Sequence, residues 1–462
     1  MSFLNTDTIV ALATAPLSAG VAVIRLSGAN AFGIAKQLCP TFNPDKERYI
    51  HLGKIFSKDG DLLDEPLLVS FKNPHSFTGE DVVEIHCHGG KAVVQGIIDE
   101  LLNRHDHVRH ADAGEFSRRA FINGKMDLTE AEGLCDLIDA ETQEQKNQAL
   151  KQMQGELGKR FETWRTEIMG LLAHVEASLD FPDEELEILE EAGLKEKLEA
   201  LINTLTKAVE NNTGHRLRDG FQVVISGKPN VGKSTLTNLL TGKETAIVSP
   251  IAGTTRDVVE SHLNIGGFPV ILADTAGLRD TSDEIEKEGV KRAISKVEDA
   301  DFIIAVCQSN DWPNLDKETI KYMGTKNGLV IISKIDQYSN SDIPANTNIN
   351  GKNYPVMGLN LTDEKNIDTL VNILQKHIET CFGGVRNAAQ LTRERHKKSV
   401  HQALEHLTRA KQLYTEQNSA ISLSDLLAQD FRDAAKCIGD VTGKTGSEDV
   451  LDLVFTTFCI GK

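Results

Sequence analysis

The octapeptide Gly227-Lys228-Pro229-Asn230-Val231-Gly232-Lys233-Ser234 has the spacing G-x-x-x-x-G-K-[ST] and directly follows the apolar run FQVVIS at 221–226. Glycines at this spacing let backbone N–H groups turn inward and cradle phosphate oxygens. The Lys233 ammonium then meets the β- and γ-phosphates, and the Ser234 hydroxyl is a ligand for Mg2+. Val231, Gly232 and Thr235 fall on the same phosphates. The octapeptide alone also occurs as a chance glycine loop, but placement after a strand and before a helix removes most of that ambiguity.

Further elements follow in the order that a nucleotide switch requires. Asp274-Thr275-Ala276-Gly277 closes an apolar strand, so Asp274 can hold the magnesium shell through water and Gly277 can sense the γ-phosphate. Thr254-Thr255-Arg256-Asp257 lies between the phosphate-loop helix and the next hairpin, which makes Thr255 the second Mg2+ ligand. Ser333-Lys334-Ile335-Asp336 ends another strand and matches N-K-x-D, with Ser333 where that motif has Asn. Asp336 accepts two hydrogen bonds from guanine N1 and N2, the Lys334 stem packs along the base, and adenine lacks the donor pair. These parts describe a switch GTPase that prefers GTP to ATP. A second departure is Met357-Gly358-Leu359-Asn360, which stands where an S-A-[KR] element is usual; the contact made there comes from backbone N–H, so a side-chain change is tolerable.

Leu278 follows the Asp-Thr-Ala-Gly run where Ras-like proteins carry a water-orienting Gln. Some other group must orient water and neutralise developing charge. Asn230 can ligate a monovalent cation beside the phosphates, so that K+ takes the place of an arginine finger. Glu286 can orient the water; its pattern alone fits a solvated helix residue equally well, because acidic residues crowd that segment.

The elements that position these residues change character along the chain. Residues 1–122 alternate short apolar runs with Gly, Pro and Asn: VAVIRLSG (21–28), LLVSF (67–71) and DVVEIHCHGG (81–90) read as strands and KAVVQGIIDELLNR (91–104) as an amphipathic helix, an α+β domain. Residues 123–217 turn helical, with one or two long helices expected from Leu128 to Leu179, stopped by Phe181-Pro182. Residues 218–381 alternate buried strands with helices: FQVVIS, a hairpin in 260–274 through Gly266-Gly267, DFIIAVC (301–307) and GLVIIS (328–333), a mainly parallel sheet. Residues 382–462 return to helices, over Arg393–Thr415, Ser422–Ile438 and Ser447–Cys459, with Ser422 and Ser447 as N-caps. The expected fold is therefore multidomain α/β and α, with a Ras-like P-loop domain inserted into a discontinuous helical domain.

Composition excludes some classes. No run of about 18 apolar residues offers a membrane span, and the start MSFLNTDTIVALATAP lacks a basic signal-peptide head. Seven cysteines without a CxxC pair argue for a reducing, cytoplasmic setting. With 50 basic against 68 acidic residues, a formal charge of −18, the chain is poorly suited to hold RNA alone.

Four segments, TDTIVALATAP…VAVIRLSG, FTGEDVVEIHCHGG, GEFSRRAFINGKMDLTEAEG and the terminal LDLVFTTFCIGK, resemble the tRNA modification GTPase family called MnmE or TrmE, and the resemblance spans essentially the whole chain. It implies a G domain that dimerises across its nucleotide face in K+. The loop Ser249-Pro250-Ile251-Ala252-Gly253-Thr254 would contact nucleotide, with Asn230, Ser249, Ile251 and Thr254 at the K+ positions. It implies Glu286 as the catalytic glutamate. It implies an N-terminal dimerisation domain that binds 5-formyl- or methylene-tetrahydrofolate, with Arg25, Glu84, Lys125 and Lys462 at the pocket; without it, Glu84 and Lys125 read as surface charges. It further implies a homodimer, a heterotetramer with the FAD protein MnmG, transient tRNA binding shared with that partner, and an aminomethyl or carboxymethylaminomethyl group placed at C5 of the wobble uridine (U34).

Cys459 in the tail is a candidate for the modification chemistry, against a buried apolar residue. Glu84, His86 and His88 share a strand face, but two histidines without a second paired cluster favour packing or hydrogen bonding over metal. Two rival functions are a ribosome-assembly GTPase, whose basic KH-like or S4-like appendage is absent, and a folate-dependent aminomethyltransferase acting without a partner.

Overall fold

The computed structural model describes residues 7–179, 193–242, 260–274, 298–324, 326–337, 343–361, 364–383, 389–415, 423–445 and 448–461. The chain forms two compact units. The first comprises Met1–Cys135, Gln152–Leu198 and Glu405–Lys462, and the second Asp136–Lys151 and Glu199–Leu404.

The first unit is built on strands β1 (Thr8–Leu12), β2 (Ala19–Ser27), β3 (His51–Leu52), β6 (Leu67–Phe71), β7 (Val82–Gly89) and β8 (Val108–His110), with a small ribbon of β4 (Ile55–Phe56) and β5 (Leu62–Asp64). The main sheet runs β3-β6-β7-β2-β1-β8, antiparallel except for the β1–β8 pair. In β7 the two-residue period buries Val83, Ile85 and Cys87 while Glu84, His86 and His88 face the other way. The buried face meets Ile34 and Leu38 of helix Ala31–Leu38 and Ile97 and Leu101 of helix Lys91–Arg104. Each such Leu or Ile withdrawn from water contributes about 1.5–3 kcal/mol. Helices Glu156–Leu179 and Leu423–Thr442 pack along one another. The short helix Glu448–Thr456 and the turn after it set Phe455 and Phe458 against Phe121 and Leu128.

The span from Leu128 to Leu179 is three helices, Leu128–Asp139, Gln143–Met153 and Glu156–Leu179, rather than one or two. The breaks have local causes. Thr142 and Gln145 form a capping box: Gln145 N donates to Thr142 Oγ1 and Thr142 N to Gln145 Oε1, at 3.4 and 3.0 Å. Gly155, at φ +79°, ends the second helix in a conformation that side chains resist. Phe181, Pro182, Ser422 and Ser447 lie outside the described residues.

The second unit holds β9 (Phe221–Ser226), β10 (Glu260–Ile265), β11 (Phe268–Asp274), β12 (Phe302–Gln308), β13 (Asn327–Ser333), β14 (Asn346–Ile349) and β15 (Lys352–Leu359), in the order β10-β11-β9-β12-β13-β15-β14. The five central strands are parallel and the edges antiparallel. Leu236 and Leu240 of helix Lys233–Gly242 and Leu370, Leu374 and Ile378 of helix Glu364–Cys381 seal one face. Met323 and Tyr354 pack among the residues of the other. Being covered on both sides, β12 and β13 are almost continuously apolar, as a central parallel strand must be.

Candidate functional site

Because β9, β11, β12, β13 and β15 are parallel, their last residues, Ser226, Asp274, Gln308, Ser333 and Leu359, all reach the same edge of the sheet. Pairings such as Ala305↔Ser226, Gln308↔Ser333 and Ser333↔Leu359 fix that alignment. Loops leaving this edge form the crevice where α/β folds bind ligands. Four of the motifs found in the sequence are thereby brought together: the phosphate loop, Asp274, Lys334 with Asp336, and the segment ending at Asn360.

The turn from β9 into helix Lys233–Gly242 demands glycine at its first position. Gly227 has φ +151°, and a Cβ there would lie 2.1 Å from the Val306 carbonyl oxygen. Asn230, with φ +60°, carries the loop around, and Lys233 is buried with Nζ donating to the carbonyls of Gly227 and Lys228 at 2.8 and 2.9 Å. The ammonium is thus held inside the loop. Val231 is buried, while Asn230, Ser234 and Thr235 are exposed at the mouth. The Ser234 hydroxyl donates to Asp274 Oδ2 at 3.3 Å. A hydroxyl and a carboxylate converging at the start of a helix are the hard oxygen donors that magnesium takes, so the pair fits that ion.

On the base side, Lys334 adopts φ +57° and Asp336 sits exposed in the turn Ile335–Gln337. Met357–Leu359 belong to β15, so the departed S-A-[KR] element is the end of a strand followed by Asn360. Gln308, which the sequence did not single out, donates through Nε2 to the Asn230 carbonyl at 2.7 Å. Lys334 Nζ reaches the same oxygen at 3.2 Å. The one available signal for Gln308 was its place at the end of a buried strand. Nearby, burial pushes the Cys307 thiol up to about 12, which keeps it protonated.

Ser249, Pro250, Ile251, Ala252, Gly253, Thr254, Thr255, Thr275, Ala276, Gly277 and Glu286 lie outside the described residues.

In the first unit, Arg25 on β2 is the direct cross-strand neighbour of Glu84 on β7. Arg25 Nη2 and Nε donate to Glu84 Oε1 at 2.8 and 3.0 Å, and His86 Nε2 lies 3.3 Å from Oε2. The Arg25 guanidinium lies over the rings of Phe77 and Phe116, at 5.5 and 5.7 Å from their centroids. Lys125 donates to the Pro74 carbonyl at 2.8 Å, so the segment from Pro74 to Phe77 touches both cations. Arg25 and Glu84, side chains only 21% and 18% exposed, are not surface charges, whereas Lys125 is exposed. The half-buried ion pair, backed by the wholly buried Phe116 and beside the partly exposed Phe77, offers hydrogen-bonding edges of the kind a pterin would need.

Lys462 lies outside the described residues, but its neighbour Gly461 packs so close to β1 that a Cβ would meet the Leu12 carbonyl oxygen at 2.2 Å. Leu12 and Ala11 pair with Ile24 and Arg25, so the tail is delivered beside the Arg25 strand. Cys459 is exposed there, its carbonyl accepting from Gly114 N at 3.4 Å; it is not the buried apolar residue that was the alternative. His88 is bound to Asp64, Nδ1 to Oδ1 at 2.7 Å.

A model described as the MnmE helical domain matches residues 128–459, and one described as the GTP-binding protein TrmE N-terminus matches residues 8–125. The chain is 42% identical over 465 residues to the tRNA modification GTPase MnmE of Paramagnetospirillum magneticum, covering 99% of this chain and 100% of that protein. It is 42% identical over 480 residues to the protein of that name from Rhodospirillum rubrum, and 38% over 470 residues to that of Orientia tsutsugamushi, each again covering 99% of this chain and 100% of the relative. With both of its ends and its helical segments matched, the chain belongs to the MnmE family of tRNA modification GTPases.

Proposed function

We propose that this chain is a K+-activated GTPase that acts with the FAD-containing protein MnmG to place an aminomethyl or carboxymethylaminomethyl group at C5 of the wobble uridine of certain tRNAs. The one-carbon unit comes from 5-formyl- or methylene-tetrahydrofolate. The observation that carries the nucleotide half is the gathering of Lys233, the Ser234–Asp274 pair and Lys334 with Asp336 at one sheet edge. The name its relatives share, tRNA modification GTPase MnmE, supports the tRNA half.

In this reading Lys233 and the backbone of the loop grip the phosphates, and Asp336 reads the base. Ser234 and Thr255 would hold Mg2+, which would supply charge neutralisation at the phosphates. Asn230, Ser249, Ile251 and Thr254 hold K+, and Glu286 orients the attacking water. Arg25, Glu84, Lys125 and Lys462 hold the folate, with residues 1–122 as its domain and as the homodimer contact. Cys459 takes part in the modification and not in GTP hydrolysis. The acidic charge of −18 supports a division of labour in which MnmG, in a heterotetramer, carries much of the tRNA surface, and the setting is cytoplasmic.

The test is wobble-uridine modification in a reconstituted reaction with and without the flavoprotein, using Cys459→Ser beside the parent chain. Modification should need both proteins and folate, and Cys459→Ser should lose modification while hydrolysing GTP normally. Full modification by this chain alone would overturn the proposal.

A further inference from the structure

We infer that this site binds guanine without any donor from position 333 to the base N7, so that the side-chain contacts to the base fall on its O6, N1 and N2 edge; the inference rests on Asp336 as the guanine reader. Ser333 is the last residue of β13, directly before Lys334, and has no exposed surface. Its Oγ lies 2.6 Å from the Val231 carbonyl and 3.1 Å from the Cys307 carbonyl. A serine hydroxyl carries one proton, and both neighbours are acceptors only, so that proton is committed to a carbonyl. The shorter contact is to the phosphate loop.

The edge of the sheet therefore grips two consecutive loop carbonyls: Gln308 and Lys334 donate to Asn230 O, and Ser333 donates to Val231 O. Ser333 is a positioning residue. It ties the strand that carries the base reader to the turn that carries the phosphates. Guanine presents N7 and O6 as acceptors on one edge. An asparagine at 333, as in N-K-x-D, has two amide hydrogens, one for the loop carbonyl and one for N7. The serine keeps the first of these bonds and has no hydrogen for the second.

The experiment measures KM and kcat for GTP, 7-deaza-GTP and ATP with the full chain, Ser333→Ala and Ser333→Asn. In the unmodified chain GTP and 7-deaza-GTP should agree within about twofold, since no hydrogen bond to N7 exists to be lost, while ATP is at least about tenfold weaker. Ser333→Ala should raise KM for both guanine nucleotides together by about fivefold, with kcat nearly unchanged, because the tether alone is lost. Ser333→Asn should leave KM for 7-deaza-GTP near that of the unmodified chain and lower KM for GTP about fivefold below it.

A 7-deaza-GTP penalty of about fivefold or more in the unmodified chain, with ATP excluded, overturns the inference and leaves the guanine reading standing; this arm needs no variant to fold. ATP competing equally with both overturns the guanine reading and the inference with it. An unchanged KM in Ser333→Ala overturns the tether.

Discussion

The Ser234 hydroxyl and the Asp274 carboxylate, 40 positions apart in sequence, meet at 3.3 Å across the mouth of the phosphate loop. One comes from the first turn of a helix and the other from the end of β11, and the parallel pairing of β11 with β9 brings them together. If this pair organises Mg2+, Asp274→Asn should lower kcat/KM for GTP by roughly 100-fold, the scale of losing one preorganised charge-stabilising group. Ser234→Ala should make GTP affinity insensitive to Mg2+. Nucleotide titrations in Mg2+ and in EDTA check this; an undiminished Mg2+ effect in Ser234→Ala would remove the serine from the metal site.

Asp336 stands exposed just beyond β13, where its two oxygens can take both donors of the guanine N1–N2 edge. Asp336→Asn exchanges one acceptor for a donor, which suits xanthine, whose C2 bears a carbonyl. KM for GTP should rise at least about tenfold while that for xanthosine triphosphate falls by a similar factor. Competition between the two nucleotides is the measurement, and an unaltered preference for GTP would place the base reader elsewhere.

Much of this nucleotide edge was legible because its signals are local. The phosphate loop follows a continuous apolar run, and Gly266-Gly267 marks the β10–β11 hairpin, at φ +61° and +90°. The β14–β15 hairpin is harder to see in the sequence, although Asn350-Gly351, at φ +52° and +86°, is a strong two-residue turn signal, because polar residues on both sides mask the strand pattern. Contacts such as Gln308 or Ser333 to the loop, 78 and 102 positions away, are not encoded locally at all. The same holds for the pairing of Arg25 with Glu84, which is a matter of sheet register.

Among the described residues Asn230 is one of four non-glycine residues at positive φ, and its exposed side chain stands at the mouth of the loop while its carbonyl is tied down by Gln308 and Lys334. That anchoring favours a fixed cation ligand. GTP hydrolysis should run at least about tenfold faster in KCl than in NaCl, and Asn230→Ala should abolish the difference without changing GTP affinity more than a few fold. Equal rates in both salts with the unmodified chain would remove K+ from the mechanism.

The first unit should weaken in acid through one ion network. Arg119, 7% exposed, donates to Asp7, Glu80 and Glu115, and Arg109 donates to Asp7 and Glu115. Burial raises the pKa of Asp7 and Glu115, but the hydrogen bonds and charges of the two arginines outweigh it and hold both below the ordinary carboxylate range. A pKa lowered by folding means that the unfolded chain binds protons first. The stabilisation is therefore complete above the ordinary carboxylate pKa and lost as pH falls through the lowered folded values. At neutral pH, Arg119→Ala leaves the buried Glu115 with Arg109 and the Asp112 backbone N–H and should cost about 3 kcal/mol. Hydrogen exchange of β1 and of helix Glu115–Ile122 would report it, the deficit shrinking towards pH 3 as the carboxylates protonate in parent and variant alike. A deficit that stays constant from neutral pH to acid would show that Arg119 acts by packing alone.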